Sequence, residues 1–267
     1  MHRPFHRKAR RSAASAAATA WARARSLASR VHVTSIRVAP RRRSARRTAV
    51  ASAARVRCDR VDLRSLGCES VAAAAERLDA HVTREAPHVL VGYSLGGRLC
   101  LAAAAMRRLS IPLVLLSASA GIEEDAQRDA RAREDDARAE AIRRDGLPAF
   151  VERWYGMPMF ARLRAMPDFA SVHDRRARGD GAFWARCIAG CSPGRAAGAW
   201  GVLPSLLRGS AFAVGTEDDR YSSLADRVER EAPHVRVERI AGAGHALPIE
   251  APERCAALIE HALRNAP

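Results

Sequence analysis

The chain has 267 residues, 48% of them hydrophobic, and a formal charge of +16. That charge is local: residues 1–58 hold 16 of the 45 basic residues and no acid, leaving 29 basic against 29 acidic residues in 59–267. A neutral body of this size can bury a sizeable core, and no run approaches the roughly 18 apolar residues of a membrane span. With only Phe5 and Trp21 as aromatics in the head, specific reading of nucleic acid has no support either.

The head, set at residues 1–55, is rich in Arg, Ala and Ser and lacks an apolar signal core, so it reads as a disordered transit peptide. The same composition fits a basic arm or a stretch upstream of the true start. A short strand is expected within it at 31–38 (VHVTSIRV). The body, 56–267, begins with a strand at 56–63 and a helix at 70–83, with Ser70 as its cap and Val71, Ala74, Leu78 and Val82 on one face. Next comes VLVGYSLGGRLCLAAAA at 89–105, an apolar strand, a G-x-S-x-G turn and an Ala-rich helix reaching about 107. Strand, tight turn and helix are the setting a nucleophile elbow requires, with the glycines at 92 and 96 making room for Ser94. The apolar run at 111–117 (IPLVLLS) is a further buried strand, so a mostly parallel sheet is expected.

From 121 to 208 the composition turns helical and arginine-bearing. The segment 121–145 has no broad apolar stripe and reads as a solvated helix. Residues 147–163 concentrate Phe150, Trp154, Tyr155 and Phe160 in a chain with 5% aromatics, and the whole insert is expected to cap the sheet. A strand at 210–214 ends in Gly-Thr-Glu-Asp-Asp. A helix at 222–231, a strand at 235–240, the turn Ala-Gly-Ala-Gly-His and a helix at 252–264 complete an α/β domain.

A serine hydroxyl is a weak nucleophile and a weak base, so Ser94 needs an imidazole to hold its proton and a carboxylate to fix the imidazole tautomer. Asp218 and His245 each follow a predicted strand, where side chains gather at the carboxyl edge of a parallel sheet, and they stand in the order Ser, Asp, His. Asp219 is the adjacent alternative acid. Of the six cysteines, Cys187 and Cys191 share a helical spacing, but no His or Cys neighbour in sequence completes a metal site, so buried free thiols and no metal are expected.

GYSLGGR at 92–98, FVERWYGMPMF at 150–160, GTEDDRY at 215–221 and GAGHALPIEAPE at 242–253 together resemble the SHCHC synthase family of menaquinone and phylloquinone biosynthesis. Those enzymes are lyases of the α/β-hydrolase fold, and the resemblance covers roughly 56–262. It implies elimination of pyruvate from a cyclohexene polycarboxylate, SEPHCHC, with no cofactor. Ser94 would act as the base, with His245 and Asp218 behind it. It also implies substrate contacts from Tyr93, Leu95, Arg98, Trp154, Tyr155 and the cap arginines Arg128, Arg131 and Arg178, with Arg175 and Arg176 as rivals to Arg178. Arginine suits such a substrate because its planar fork grips carboxylates in pairs, and Lys8 is the only lysine in the chain. Phylloquinone synthesis would favour a plastid address over the cytoplasm.

One departure stands out. The family carries a His-Gly loop that supplies an oxyanion-hole amide, and no His-Gly dipeptide occurs before Ser94; residues 62–67 (DLRSLG) are at best a remnant of its next motif. The chain therefore reads as abbreviated at its N-terminal side. A serine esterase or C–C hydrolase, or a weakly active pseudoenzyme, remains an alternative.

Overall fold

The computed structural model describes residues 33–39, 55–107 and 109–267, and the rest of the basic head lies outside them. The six strands are β1 (Val33–Ala39), β2 (Arg55–Val61), β3 (Val89–Tyr93), β4 (Leu113–Leu116), β5 (Ala211–Gly215) and β6 (Arg236–Ile240). They form one sheet in the order β2-β1-β3-β4-β5-β6. The run from β3 to β6 is parallel, with Gly92 opposite Leu115, Leu115 opposite Phe212, and Phe212 opposite Val237.

β1, at the short strand expected near 31–38, pairs antiparallel with both β2 and β3, so the sheet is mostly parallel, and wholly so where it carries the candidate site. It also lies inside the sheet, with Val33 wholly buried, although 33–39 falls within the stretch assigned to a disordered head. Alternating β-leaning residues specify a strand but not its direction, and an antiparallel neighbour needs no crossover helix.

Among the described residues, seven helices of more than two turns accompany the sheet: α1 (Val71–Glu85), α2 (Leu95–Arg107), α3 (Asp125–Tyr155), α4 (Phe169–Ala177), α5 (Gly181–Gly190), α6 (Asp219–Glu231) and α7 (Pro252–Asn265). The central strands β3, β4 and β5 are apolar on both faces because both faces are covered. Leu90, Leu113, Leu115 and Phe212 point into a core shared with α1, α2 and α6. Their sequence neighbours Val89, Val91, Val114 and Ala211 point the other way, onto Leu258, Ile259 and Ala262 of α7. α1 starts where its cap predicts, with Ser70 Oγ accepting from the Ala73 amide at 3.1 Å.

Everything between β4 and β5 forms a helical cap with its own core of Ile142, Leu147, Phe150, Val151, Tyr155, Phe160 and Leu163. α3 breaks at Gly146, whose φ of 84° is left-handed, just before Pro148. Its first arm is not wholly solvated as expected: Asp135, Ala139 and Ile142, spaced four and three apart, are buried along one face.

The elbow is closely packed. A Cβ on Gly92 would stand 2.6 Å from the Gly97 Cα, a backbone atom, and 2.8 Å from Cys100 Sγ. Gly92→Ala is expected to lower stability by about 1–3 kcal/mol in chemical denaturation. Gly201→Ala, where nothing lies within 4 Å of the added Cβ, should change it little.

Candidate active site

Ser94 sits at the turn between β3 and α2. Its φ is 49°, a left-handed conformation that costs a non-glycine residue of the order of 1–3 kcal/mol. The Ser94 amide donates to Leu116 O at 2.9 Å and its carbonyl accepts from the Arg98 amide at 3.2 Å, so β4 and the first turn of α2 hold the strained residue from both sides. A close approach between Gly92 and Gly97 permits this, and a Cβ on Gly97 would also meet Ala118 Cβ at 2.3 Å.

The acid and histidine loops are braced against each other. A Cβ on Gly215, at the end of β5, would lie 2.1 Å from Ala243 O, so only glycine lets the two loops touch. The Glu217 amide donates to Ala243 O at 2.9 Å and the Gly242 amide to Thr216 Oγ1 at 3.0 Å. This juxtaposition sets His245 Nδ1 at 2.7 Å from Asp218 Oδ2 and His245 Nε2 at 3.0 Å from Ser94 Oγ. With Nδ1–H donating to the carboxylate, Nε2 is left to accept the serine proton. Asp218 is buried while Asp219 is exposed at the start of α6, which separates the two candidate acids. The imidazole is 2% exposed, with the rings of Tyr221, Tyr93 and Phe160 at centroid distances of 4.7, 5.6 and 5.7 Å.

Glu250 is a part of this site that sequence reading passes over. Its carboxylate accepts from the Gly244 amide and, at 3.1 Å, from the Ala246 amide, the two peptide groups flanking His245. Burial pushes the Glu250 carboxyl above its ordinary range, and these two amides pull it back. The signal lay in Glu five residues after His245, but nothing local says that the chain turns back there.

Above Ser94 and His245 lies a cavity of about 160 Å³. Of the residues expected to contact substrate, Leu95, Arg98, Arg131 and Trp154 line it. Tyr93 stands behind His245, and burial raises its phenol well above the ordinary value. Three expected contacts fall elsewhere. Arg128 turns outward to Asp125 and to the Glu123 carbonyl. Tyr155 packs edge-on against Phe160 and Phe169 in the cap core. Arg178 lines a separate surface depression with Arg60 and Arg64, and the rival Arg176 reaches the cavity instead. Helix phase decides these outcomes, and a loosely matched segment does not determine phase.

Arg138 and Arg220 also line the cavity without having been expected there. Asp135, 2% exposed, accepts from Arg131 Nε at 2.9 Å and Arg138 Nη1 at 2.7 Å, holding both guanidinium groups at the wall. Arg98, Arg176 and Arg220 have no ion-pair partner among the described residues. Arg98 Nη2 donates to Cys191 O at 3.2 Å, its Nε is buried without a partner, and burial pulls its pKa down. Five arginines around one aspartate give the cavity wall a net positive charge. The cysteines are free thiols as expected, all but Cys58 buried, and Cys68, which sequence reading did not associate with Cys187 and Cys191, joins them in one cluster.

Glu250→Ala leaves two amides beside His245 without their acceptor. It is expected to cost about 1–3 kcal/mol in denaturant titration, whereas Glu253→Ala on the exposed side of α7 should cost under about 0.5 kcal/mol.

The alpha/beta hydrolase family matches residues 14–258. The chain is 30% identical over 175 residues to the Arabidopsis thaliana protein "Protein PHYLLO, chloroplastic", covering 62% of this chain and 10% of that one. It is 29% identical to the putative 2-succinyl-6-hydroxy-2,4-cyclohexadiene-1-carboxylate synthase of Bacillus subtilis, covering 61% of each. It is 30% identical over 178 residues to the synthase of that name from Serratia proteamaculans, covering 66% of this chain and 68% of its relative. Among solved structures, MenH from S. aureus superposes with a TM-score of 0.66 at 23% identity, over 71% of this chain and 73% of that one, a likeness of fold. The chain thus spans about a tenth of the plant relative and three fifths of the Bacillus one. Elbow, loops and relatives lead to one assignment: the chain belongs to the α/β-hydrolase family and, within it, to the family of 2-succinyl-6-hydroxy-2,4-cyclohexadiene-1-carboxylate (SHCHC) synthases.

Proposed function

We propose that the protein eliminates pyruvate from SEPHCHC to give SHCHC, in menaquinone or phylloquinone biosynthesis. The observation that carries this reading is the placement of an arginine-walled cavity directly over a Ser–His–Asp relay. A relay alone would suit an esterase. An esterase acting on a neutral acyl group has no use for Arg98, Arg131, Arg138, Arg176 and Arg220 around one pocket, whereas a substrate with several carboxylates does.

In the proposed reaction Ser94 Oγ takes a proton from a ring carbon as its own proton passes to His245 Nε2. The C–H electron pair moves through the ring and breaks the bond to the enolpyruvyl oxygen. Enolpyruvate leaves and becomes pyruvate on protonation at carbon. Asp218 stabilises the imidazolium that forms for the moment of transfer. Arg98, one turn along α2 from Ser94, grips a substrate carboxylate, and Arg131 with Arg138 and Arg176 takes the others. Trp154 forms the apolar wall, with the Arg138 guanidinium 5.6 Å from its ring centroid. The Leu95 amide, at the N-terminus of α2, supplies one donor to developing negative charge. An elimination spreads that charge over the substrate's own carbonyl groups, which eases the demand for a second amide from a His-Gly loop. We also assign a plastid address to the chain, on the Arg- and Ser-rich, acid-free composition of its head.

Pyruvate release from SEPHCHC, followed with a lactate dehydrogenase couple, tests the reading. Ser94→Ala should lower kcat by about 10²- to 10⁴-fold, the range for loss of a general base; an active Ser94→Ala protein would overturn the mechanism. Arg98→Ala should act chiefly on KM, raising it about 10- to 100-fold for one lost charged contact. Faster turnover of a nitrophenyl ester than of SEPHCHC would favour the esterase reading instead.

A further inference from the structure

Three of the six cysteines converge at the wall of the cavity, on the side held by Arg98. Cys68 comes from the turn before α1, and Cys187 and Cys191 from the C-terminal end of α5. Their Sγ atoms all lie within 4.8 Å of one another, and each residue is 1% exposed. The backbone is shaped to bring them there. Cys68 has a left-handed φ of 47°, which a residue with a Cβ adopts at a cost. Gly190, between the other two, allows α5 to close on the turn: a Cβ there would stand 2.5 Å from Cys68 O and 2.4 Å from Glu69 O. A side chain larger than hydrogen at position 190 would hold the sulfurs apart.

Three sulfurs around one centre are the donor set of soft cations. A cation with metal–sulfur bonds of about 2.3 Å at the middle of a sulfur triangle gives edges of about 4 Å, so small rotations about the Cα–Cβ bonds complete the geometry. Access exists as well, because Cys187 and Cys191 line the cavity and leave one side of the triangle facing it. A trithiolate carrying a mono- or divalent cation is net negative, and the Arg98 guanidinium, bonded to Cys191 O at 3.2 Å, supplies the neighbouring positive charge. We propose that Cys68, Cys187 and Cys191 form a three-thiolate site for a soft d10 cation, Zn(II) or Cu(I), in the cavity wall. Binding exchanges three thiol protons, released to solvent, for the cation. The site is independent of the proposed lyase reaction, since none of its sulfurs takes part in the proton transfer.

The reduced, metal-free full chain is titrated with Cd(II), whose thiolate charge-transfer band counts the sulfurs bound. The expected result is saturation at one Cd(II) per chain with the intensity of three thiolates. Cys68→Ser should lose a third of that intensity and bind at least about tenfold more weakly, and Cys58→Ser should titrate like the native chain. No saturable band, or a band that survives in the triple serine variant of Cys68, Cys187 and Cys191, would overturn the site. Should the serine variants fail to fold, X-ray absorption of the Cd(II)-loaded native chain decides, with fewer than three sulfurs about the metal refuting the proposal. Displacement of Cd(II) by Zn(II), or by Cu(I) delivered from a bathocuproine disulfonate complex, identifies the cation; displacement by neither refutes it.

Discussion

The left-handed turn at Ser94 is the constraint on which the rest of the structure depends. A serine held at φ 49° is retained only because Gly92 and Gly97 let β3 and α2 approach at backbone contact and because β4 accepts its amide. The strain has a use, since the hydroxyl leaves the sheet at the carboxyl edge, where the loops after β5 and β6 also end. Gly215 then permits these loops to pack on each other, and their mutual contact, more than either loop alone, sets the two hydrogen bonds of the relay. A third layer comes from the cap: the His245 amide donates to Met159 O at 3.2 Å, so the aromatic segment of the insert sits on the histidine loop directly. Sheet, loops and cap therefore meet around one imidazole.

The cavity shows how a chain with a single lysine handles charge. Four of the five guanidinium groups are fixed: Arg131 and Arg138 by the buried carboxylate of Asp135, Arg176 by stacking on Trp184 at 4.7 Å, and Arg98 by a backbone carbonyl. Asp135 neutralises part of the field while preventing two long side chains from collapsing into solvent. The unpaired charge that remains inside the wall is concentrated on Arg98 and Arg176, because Arg220 is exposed to solvent. Such an arrangement is costly without a ligand, because a half-buried cation gives up hydration for one carbonyl contact. A carboxylate placed against these two guanidinium groups would offset that cost.

Short-range pattern determined much of this protein. The elbow could be read from five residues between a strand and a helix, the α1 cap from Ser70, and the order of Ser94, Asp218 and His245 from the turns at the strand ends. These are local properties, since turn chemistry and the two side-chain periods act over a few residues. Tertiary structure decided the matters that local pattern leaves open. The antiparallel place of β1 depends on its neighbours across the sheet, and the inward face of α3 is a matter of helix phase, which sends Arg131 and Arg138 to the cavity but Arg128 outward. The loop contacts of Glu250, the choice of Arg176 over Arg178, and the meeting of Cys68 with a pair more than a hundred residues away all arise from packing between distant segments. Sequence spacing carries no record of such distances, because they are set only when the core closes.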